Sequence, residues 1–316
     1  MKKYWIAVLA FLLAASSFGT AEAAVKIPAV YVALGDSLAA GQTPDSQIDV
    51  GYADLIAQEL SQNQPLALFT KDLAYPGFTT GDVLERINED EAQELLASAN
   101  IITLSAGAND LLRLVQSNPA EGSLSFQQIR ADFALNKARQ NIKEILHQLD
   151  GKSPNADIYV MGYYFAYPHA RDSQKEGTAK QLDRLNEILK QEAEQAGAVF
   201  VSVDESFGDD AVEKVPNPGD VHPNVKGYQA MANAFLNEYQ KGWKVDGREL
   251  PEPNPLSFEE IMQNQEQQDP AKGQSDEAEE TEDSIEEEAD NGDSAALPSE
   301  KMETDYLALQ EILPIV

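Results

Sequence analysis

Five short apolar runs, separated by longer amphipathic stretches, constrain this chain more than any other feature. The runs occupy residues 30–34, 66–69, 101–104, 158–161 and 199–203, and each is almost continuously apolar. A strand with one wet face alternates apolar and polar residues. An unbroken apolar run suits a strand buried on both faces, as in a parallel sheet. Between the runs the spacing becomes helical. Residues 52–60 carry Leu55, Ile56 and Leu60 on one side, and residues 83–96 read as one or two helices broken near Asn88. Residues 133–149 line up Leu135, Ala138, Ile142, Ile145, Leu146 and Leu149, and residues 181–196 and 228–239 are further amphipathic helices. Strand and helix in alternation require right-handed crossovers, which predicts an α/β chain folded as a three-layer α/β/α sandwich around a mainly five-stranded parallel sheet. Sites in such sheets form beyond the carboxyl ends of the strands. The residues that directly follow each apolar run are therefore where chemistry is expected.

Charge narrows the possible partners. The 316 residues hold 23 Lys and Arg against 54 Asp and Glu, a net charge of −31. Clustered cations for a phosphate backbone or an anionic lipid surface are missing, so the chain is not a nucleic-acid binder. Residues 251–316 carry 20 of the acids against Lys272 and Lys301 alone, a net of −18, so the acidity is mainly a tail property. Pro251, Pro253 and Pro255 open that stretch, and Glu, Gln, Asp and Ser dominate it through Asp293. Such a composition buries too little apolar surface to offset the entropy of ordering. Residues 251–316 are read as an acidic, largely disordered tail, most plainly at 265–298. Its end turns apolar again, from Tyr306 to Val316, and either docks on the body or a partner or is a weakly structured end. There is no cysteine, which excludes disulfides, thiolate metal sites and a Cys nucleophile. No EF-hand spacing is present, and neither a metal nor a cofactor is expected.

The first 23 residues have the anatomy of a secretory signal. Lys2 and Lys3 precede an apolar run over residues 4–15, and Ala21-Glu22-Ala23 supplies an A-x-A cleavage site after Ala23. An uncleaved anchor is the alternative, but the run falls short of the ~20 apolar residues that span a bilayer. No later segment is long and apolar enough to do so. Residues 24–250 then form one domain working outside the cytoplasmic membrane, with a monomer as the default state.

Four blocks carry candidate chemistry, and each follows an apolar run. Gly35-Asp36-Ser37-Leu38 follows the first. A serine where a buried strand turns outward is exposed at the sheet edge, with its backbone N–H able to meet a substrate oxygen. Asp and Ser also suit a turn or helix cap. The residues 72–80 after the second run include Tyr75-Pro76-Gly77, either an ordinary turn or a place where backbone approaches a ligand. Gly107-Ala108-Asn109-Asp110 follows the third run; Asn109 offers neutral N–H donors suited to an oxyanion, or a helix cap. Asp220-Val221-His222-Pro223 lies beyond the last run. Among three histidines, His147 sits on a polar helical stretch and His169 in a loop after the aromatic residues Tyr163, Tyr164, Phe165 and Tyr167. His222, beside a carboxylate, is the candidate base.

Taken in order, these blocks resemble the GDSL, or SGNH, family of serine esterases and lipases, over about residues 29–240. The resemblance implies a flavodoxin-like sheet order and an acyl-enzyme formed on Ser37, with His222 as base. It further implies an oxyanion hole of the Ser37 N–H, the Gly77 N–H and the Asn109 side chain. The family's acid stands three residues before the histidine, where this chain has Gly219. Asp220 stands two before, and either orients the imidazole as the third triad member or structures the loop. Asp72 replaces a common Asn of the family and is read as structural. The expected function is a secreted serine esterase or lipase on lipid, lysophospholipid or O-acyl sugar esters. The alternative is a catalytically silent binding module on the same fold. Residues 163–167 are either an aromatic wall for the substrate or the end of a core strand.

Overall fold

All five strands of the main sheet run parallel, and the five apolar runs lie side by side in the order second, first, third, fourth, fifth. The computed structural model describes residues 27–208 and 211–250, so the signal-like segment and the acidic stretch fall outside the described residues. β1 (Ala29–Gly35), β2 (Leu66–Ala74) and β3 (Ile101–Ser105) come from the first three apolar runs. β6 (Asp157–Met161) and β7 (Val199–Val201) come from the last two. β1 and β3 are buried almost throughout, which is why they are written in unbroken apolar residues. β2 continues past its apolar run through Thr70, Lys71 and Asp72. It is an edge strand with one side in water, so polar residues are tolerated there.

The helices cover both faces. One layer pairs α2 (Tyr52–Asn63) with α10 (Val225–Tyr239). The other holds α3 (Thr80–Arg86), α4 (Asp90–Ser98), α6 (Gln128–Lys152) and α7 (Asp172–Ala196), with α6 packed on α3, α4 and α7. The expected break near Asn88 is the gap between α3 and α4. On the α10 side, the Tyr31 ring of β1 stacks on Phe69 at 5.3 Å and on Phe235 at 6.4 Å, and Tyr159 meets Phe235 edge-on at 4.7 Å. Each such ring removes some 150–250 Å² from water.

Short elements decorate the carboxyl edge: α1 (Ser37–Ala40), α5 (Ala108–Leu112), α8 (Asp204–Phe207) and α9 (Ala211–Lys214). A small antiparallel hairpin, β4 (Gln116–Asn118) with β5 (Ser123–Ser125), follows α5. Sequence periodicity gives no sign of this hairpin, because its strands are short and largely exposed. Among the described residues no helix is long and apolar enough to cross a membrane. The sheet order changes direction at β1 and β3, so a crevice opens at their carboxyl ends.

Candidate active site

β1 ends at Gly35, whose φ of +136° belongs to glycine. A Cβ there would lie 2.0 Å from the carbonyl oxygen of Ser105, the residue paired with it on β3. The close approach lets the Asp36 N–H donate to that carbonyl at 2.8 Å. Asp36 then caps α1: its Oδ1 accepts the Leu38 N–H at 3.0 Å. Ser37 is therefore the first residue of a short helix, where backbone N–H groups have no partner within the helix. Among the described residues no protein acceptor takes the Ser37 N–H.

The loop beyond β7 brings His222 to this serine. His222 Nε2 lies 2.8 Å from Ser37 Oγ, and Nδ1 lies 2.7 Å from Asp220 Oδ1. The same carboxylate oxygen accepts the His222 backbone N–H at 2.7 Å. That second bond closes an Asx turn, the natural reach of an aspartate to the N–H two residues on. Spacing of two thus places Asp220 on the ring without help from Gly219. With Nδ1–H directed at a carboxylate, Nε2 is left to accept from the serine hydroxyl. Both side chains are largely enclosed, His222 at 12% and Asp220 at 19% exposure. The loop is held on both flanks: Tyr164 donates to the Val221 carbonyl at 2.7 Å, and Asn224 caps α10 through the Lys226 and Gly227 N–H groups.

Asn109, in α5, lines the same cavity as Ser37 and His222. One of its amide N–H groups donates to the Phe78 carbonyl at 2.9 Å, leaving the second available. Gly77, one residue earlier, has φ +82° and an N–H that meets no protein acceptor among the described residues. Its carbonyl is taken by Arg113 at 2.7 Å. A buried network fixes these two loops to each other. Asp110 accepts the Thr80 N–H at 2.9 Å and the Thr80 hydroxyl at 2.8 Å, and Asn141 of α6 donates to that hydroxyl at 2.9 Å. Burial raises the Asp110 carboxyl above its usual range against these bonds.

Asp36 has a larger part than a helix cap. It is 1% exposed, and besides Leu38 it accepts from Ser105 Oγ at 3.0 Å and from the Tyr163 hydroxyl at 2.6 Å. Burial pushes its carboxyl up to about 6, although all three donors and the nearby His222 pull it down. The sequence offered one clue to Ser105, which stands at the end of a strand expected to pair beside β1. Tyr163 is expected at this edge because it follows the fourth run, but its bond to Asp36 carries no sequence signal. β6 ends at Met161, so residues 163–167 are loop. Tyr163, Tyr164, Phe165 and Tyr167 all line the cavity beside Ser37. The other histidines stand apart: His147 is exposed on α6, and His169 Nε2 bonds the Val215 carbonyl at 2.8 Å. Asp72 is exposed on the edge strand, its backbone carbonyl bonded by Arg86.

Comparison with known proteins places this geometry in context. A model of the GDSL-like Lipase/Acylhydrolase family matches residues 33–230, from β1 into α10. The chain is 22% identical over 226 residues to the uncharacterized protein YpmR of Bacillus subtilis (strain 168), covering 70% of this chain and 85% of that protein. It is 23% identical over 209 residues to the spore germination lipase LipC of Bacillus licheniformis, covering 64% and 92%. Among solved structures, the lipase Lip_vut3 from a goat rumen metagenome superposes with a TM-score of 0.54 at 20% identity, covering 68% of this chain and 97% of that one.

Proposed function

The chain belongs to the GDSL-like lipase/acylhydrolase family and is an ester hydrolase, and on that premise we propose that it cleaves carboxylic esters through an acyl-enzyme on Ser37. The observation that carries the proposal is the continuous bonded line from Ser37 Oγ through the His222 ring to Asp220. His222 Nε2 takes the hydroxyl proton as Ser37 Oγ bonds the ester carbonyl carbon. Asp220 holds the ring and balances the imidazolium. The carbonyl oxygen, now an oxyanion, is met by the Ser37 N–H, the Gly77 N–H and the second amide hydrogen of Asn109. Collapse breaks the ester C–O bond, and His222 returns the proton to the departing alcohol. Water, deprotonated by the same ring, then attacks the acyl carbon and frees the acid and Ser37.

The silent binding module drew its support from Gly219 standing where the family has its acid. Asp220 on Nδ1 supplies that carboxylate from the next position, which favours the enzyme. Incubation with short-chain 4-nitrophenyl esters tests the reading. Wild type should turn them over, and Ser37→Ala should lose about 10,000-fold or more. Wild-type turnover no better than the variant's, across a panel of esters, overturns it. We further propose that the enzyme is exported, on the strength of the signal-like segment at 1–23. Exported protein should begin at Ala24; an intact Met1 on the cell-associated protein counts against cleavage.

A further inference from the structure

Resting on the esterase reading above, we infer that the cavity beside Ser37 is a seat for the apolar acyl chain of the substrate, so that the preferred esters carry an extended fatty acyl group rather than an acetyl group. The cavity is partly open to solvent, and its lining extends past the reacting serine to residues of α5, α6 and α7. Ser37 and His222, bonded to each other, and Asn109 are part of its wall. Away from them the lining is aliphatic and aromatic, with Leu112, Val115 and Phe126 from the α5–hairpin segment and Leu182 from α7. Ala131 of α6 and Leu185 of α7, both buried, form its inner lining.

Apart from the reacting groups and the Tyr167 hydroxyl, which bonds no protein group among the described residues, the polar side chains of that lining are engaged elsewhere. Thr178 donates its hydroxyl to the Lys175 carbonyl at 3.0 Å, within its own helix. Gln181 exchanges amide bonds with Gln128 at 3.4 Å and accepts from Arg184 at 2.9 Å. The Tyr163 and Tyr164 hydroxyls are bound to Asp36 and to the Val221 carbonyl. A sugar needs converging hydrogen-bond partners, and a site built for hydroxyl groups keeps such partners free. These walls instead present methyl, methylene and ring surface.

The order of chemical events assigns the seat to the acyl side. The alcohol must leave and water must enter while the acyl group stays bonded to Ser37. An enclosed apolar space serves the group that stays, because it can be desolvated through both steps. The departing group needs a path to solvent.

The test compares two ester series at concentrations where the substrates are monomeric. In the first, 4-nitrophenyl esters lengthen from acetate to decanoate. In the second, acetates of alcohols lengthen from ethanol to decanol. We expect kcat/KM to rise about fourfold per methylene over the first additions to the acyl chain, and to stay nearly flat along the alcohol series. Filling the seat with Ala131→Phe, or with Leu182→Trp where the buried position fails to fold, should lower the decanoate-to-acetate ratio at least tenfold. Acetate turnover in the same preparation normalises for folded enzyme. A flat acyl series, a rise along the alcohol series, or an unchanged ratio in a folded filled variant overturns the inference while esterase activity stands. Absence of turnover on every ester, with no reaction of Ser37 toward a fluorophosphonate, overturns both.

Discussion

The side chain of Asp36 is held more tightly than a helix cap requires, and this has a measurable consequence. Three donors converge on a carboxyl group that is almost wholly removed from water. Desolvation outweighs them, and the group sits at about 6 instead of 3.8. A raised native value means that the folded state binds the proton more strongly than the unfolded state does. The associated stability is complete below about pH 4 and is lost as pH rises through 6. The loss is on the order of 3 kcal/mol. Asp36→Asn keeps an oxygen for the Leu38 N–H and removes the titration. Its melting temperature should change less between pH 4 and 7 than that of wild type; parallel curves for the two proteins would contradict the assignment. Ser37 and Asn109 are readable as candidates because each is a chemically distinctive residue shortly after an apolar run, and His222 because it is the one histidine beside a carboxylate beyond the last run. Asp220 was ambiguous for a physical reason: whether an aspartate two residues before a histidine reaches its ring depends on the loop's dihedral angles, which spacing alone does not specify.

At the scale of elements, the oxyanion loops are positioned by a bridge that no single block reveals. Asp110 in α5, Thr80 at the start of α3 and Asn141 in the middle of α6 meet through one hydroxyl. Thr80 and Asn141 are buried and Asp110 is half-buried. Thr80→Val keeps the shape, deletes the hydroxyl and strands the buried Asn141 amide, at a cost of about 1–3 kcal/mol. Chemical denaturation should show that loss. Ester hydrolysis should fall mainly in kcat, because Asn109 and the Gly77 loop lose their common anchor. An unchanged denaturation midpoint would show that the bridge contributes nothing. The strands and long helices were legible because burial on both faces and a 3.6-residue period write themselves into composition. The edge strand β2 extends past its apolar run, because the polar Thr70, Lys71 and Asp72 interrupt that run within the strand. The hairpin after α5 escaped notice altogether, although Asn118-Pro119 and Gly122 mark its turn.

Across the whole molecule, the parallel sheet brings together residues as distant as Ser37 and His222, because every strand delivers its following loop to one edge. The described part closes with a strap from Trp243 to Leu250 against α10 and α2. Val245 is buried and bonded to Asn233 at 2.8 Å, Trp243 lies against Tyr239 at 5.8 Å, and the Glu249 carbonyl accepts from Gln58 at 2.9 Å. Every site residue named above precedes this strap. A mature chain ended after Leu250 should therefore keep its turnover of short esters and its melting temperature. One ended after Gly242 should be less stable by at least the roughly 1.5–3 kcal/mol of burying a valine. Loss of activity in the chain ended after Leu250 would assign the acidic stretch a part in catalysis. The sequence foretold the layered architecture and the sheet edge that carries the site. It did not foretell the cavity, whose walls come from α5, the hairpin, α6, α7 and the loop after β6, and which exists only once these have packed.

Whether Ser37 is chemically activated by His222 decides the account, and mass spectrometry after exposure to a fluorophosphonate measures it directly. One adduct per chain is predicted, mapping to the peptide that contains Ser37 and greatly slowed in His222→Ala. A wild-type chain that takes up no reagent, an adduct on another residue, or undiminished labelling without the imidazole would contradict it.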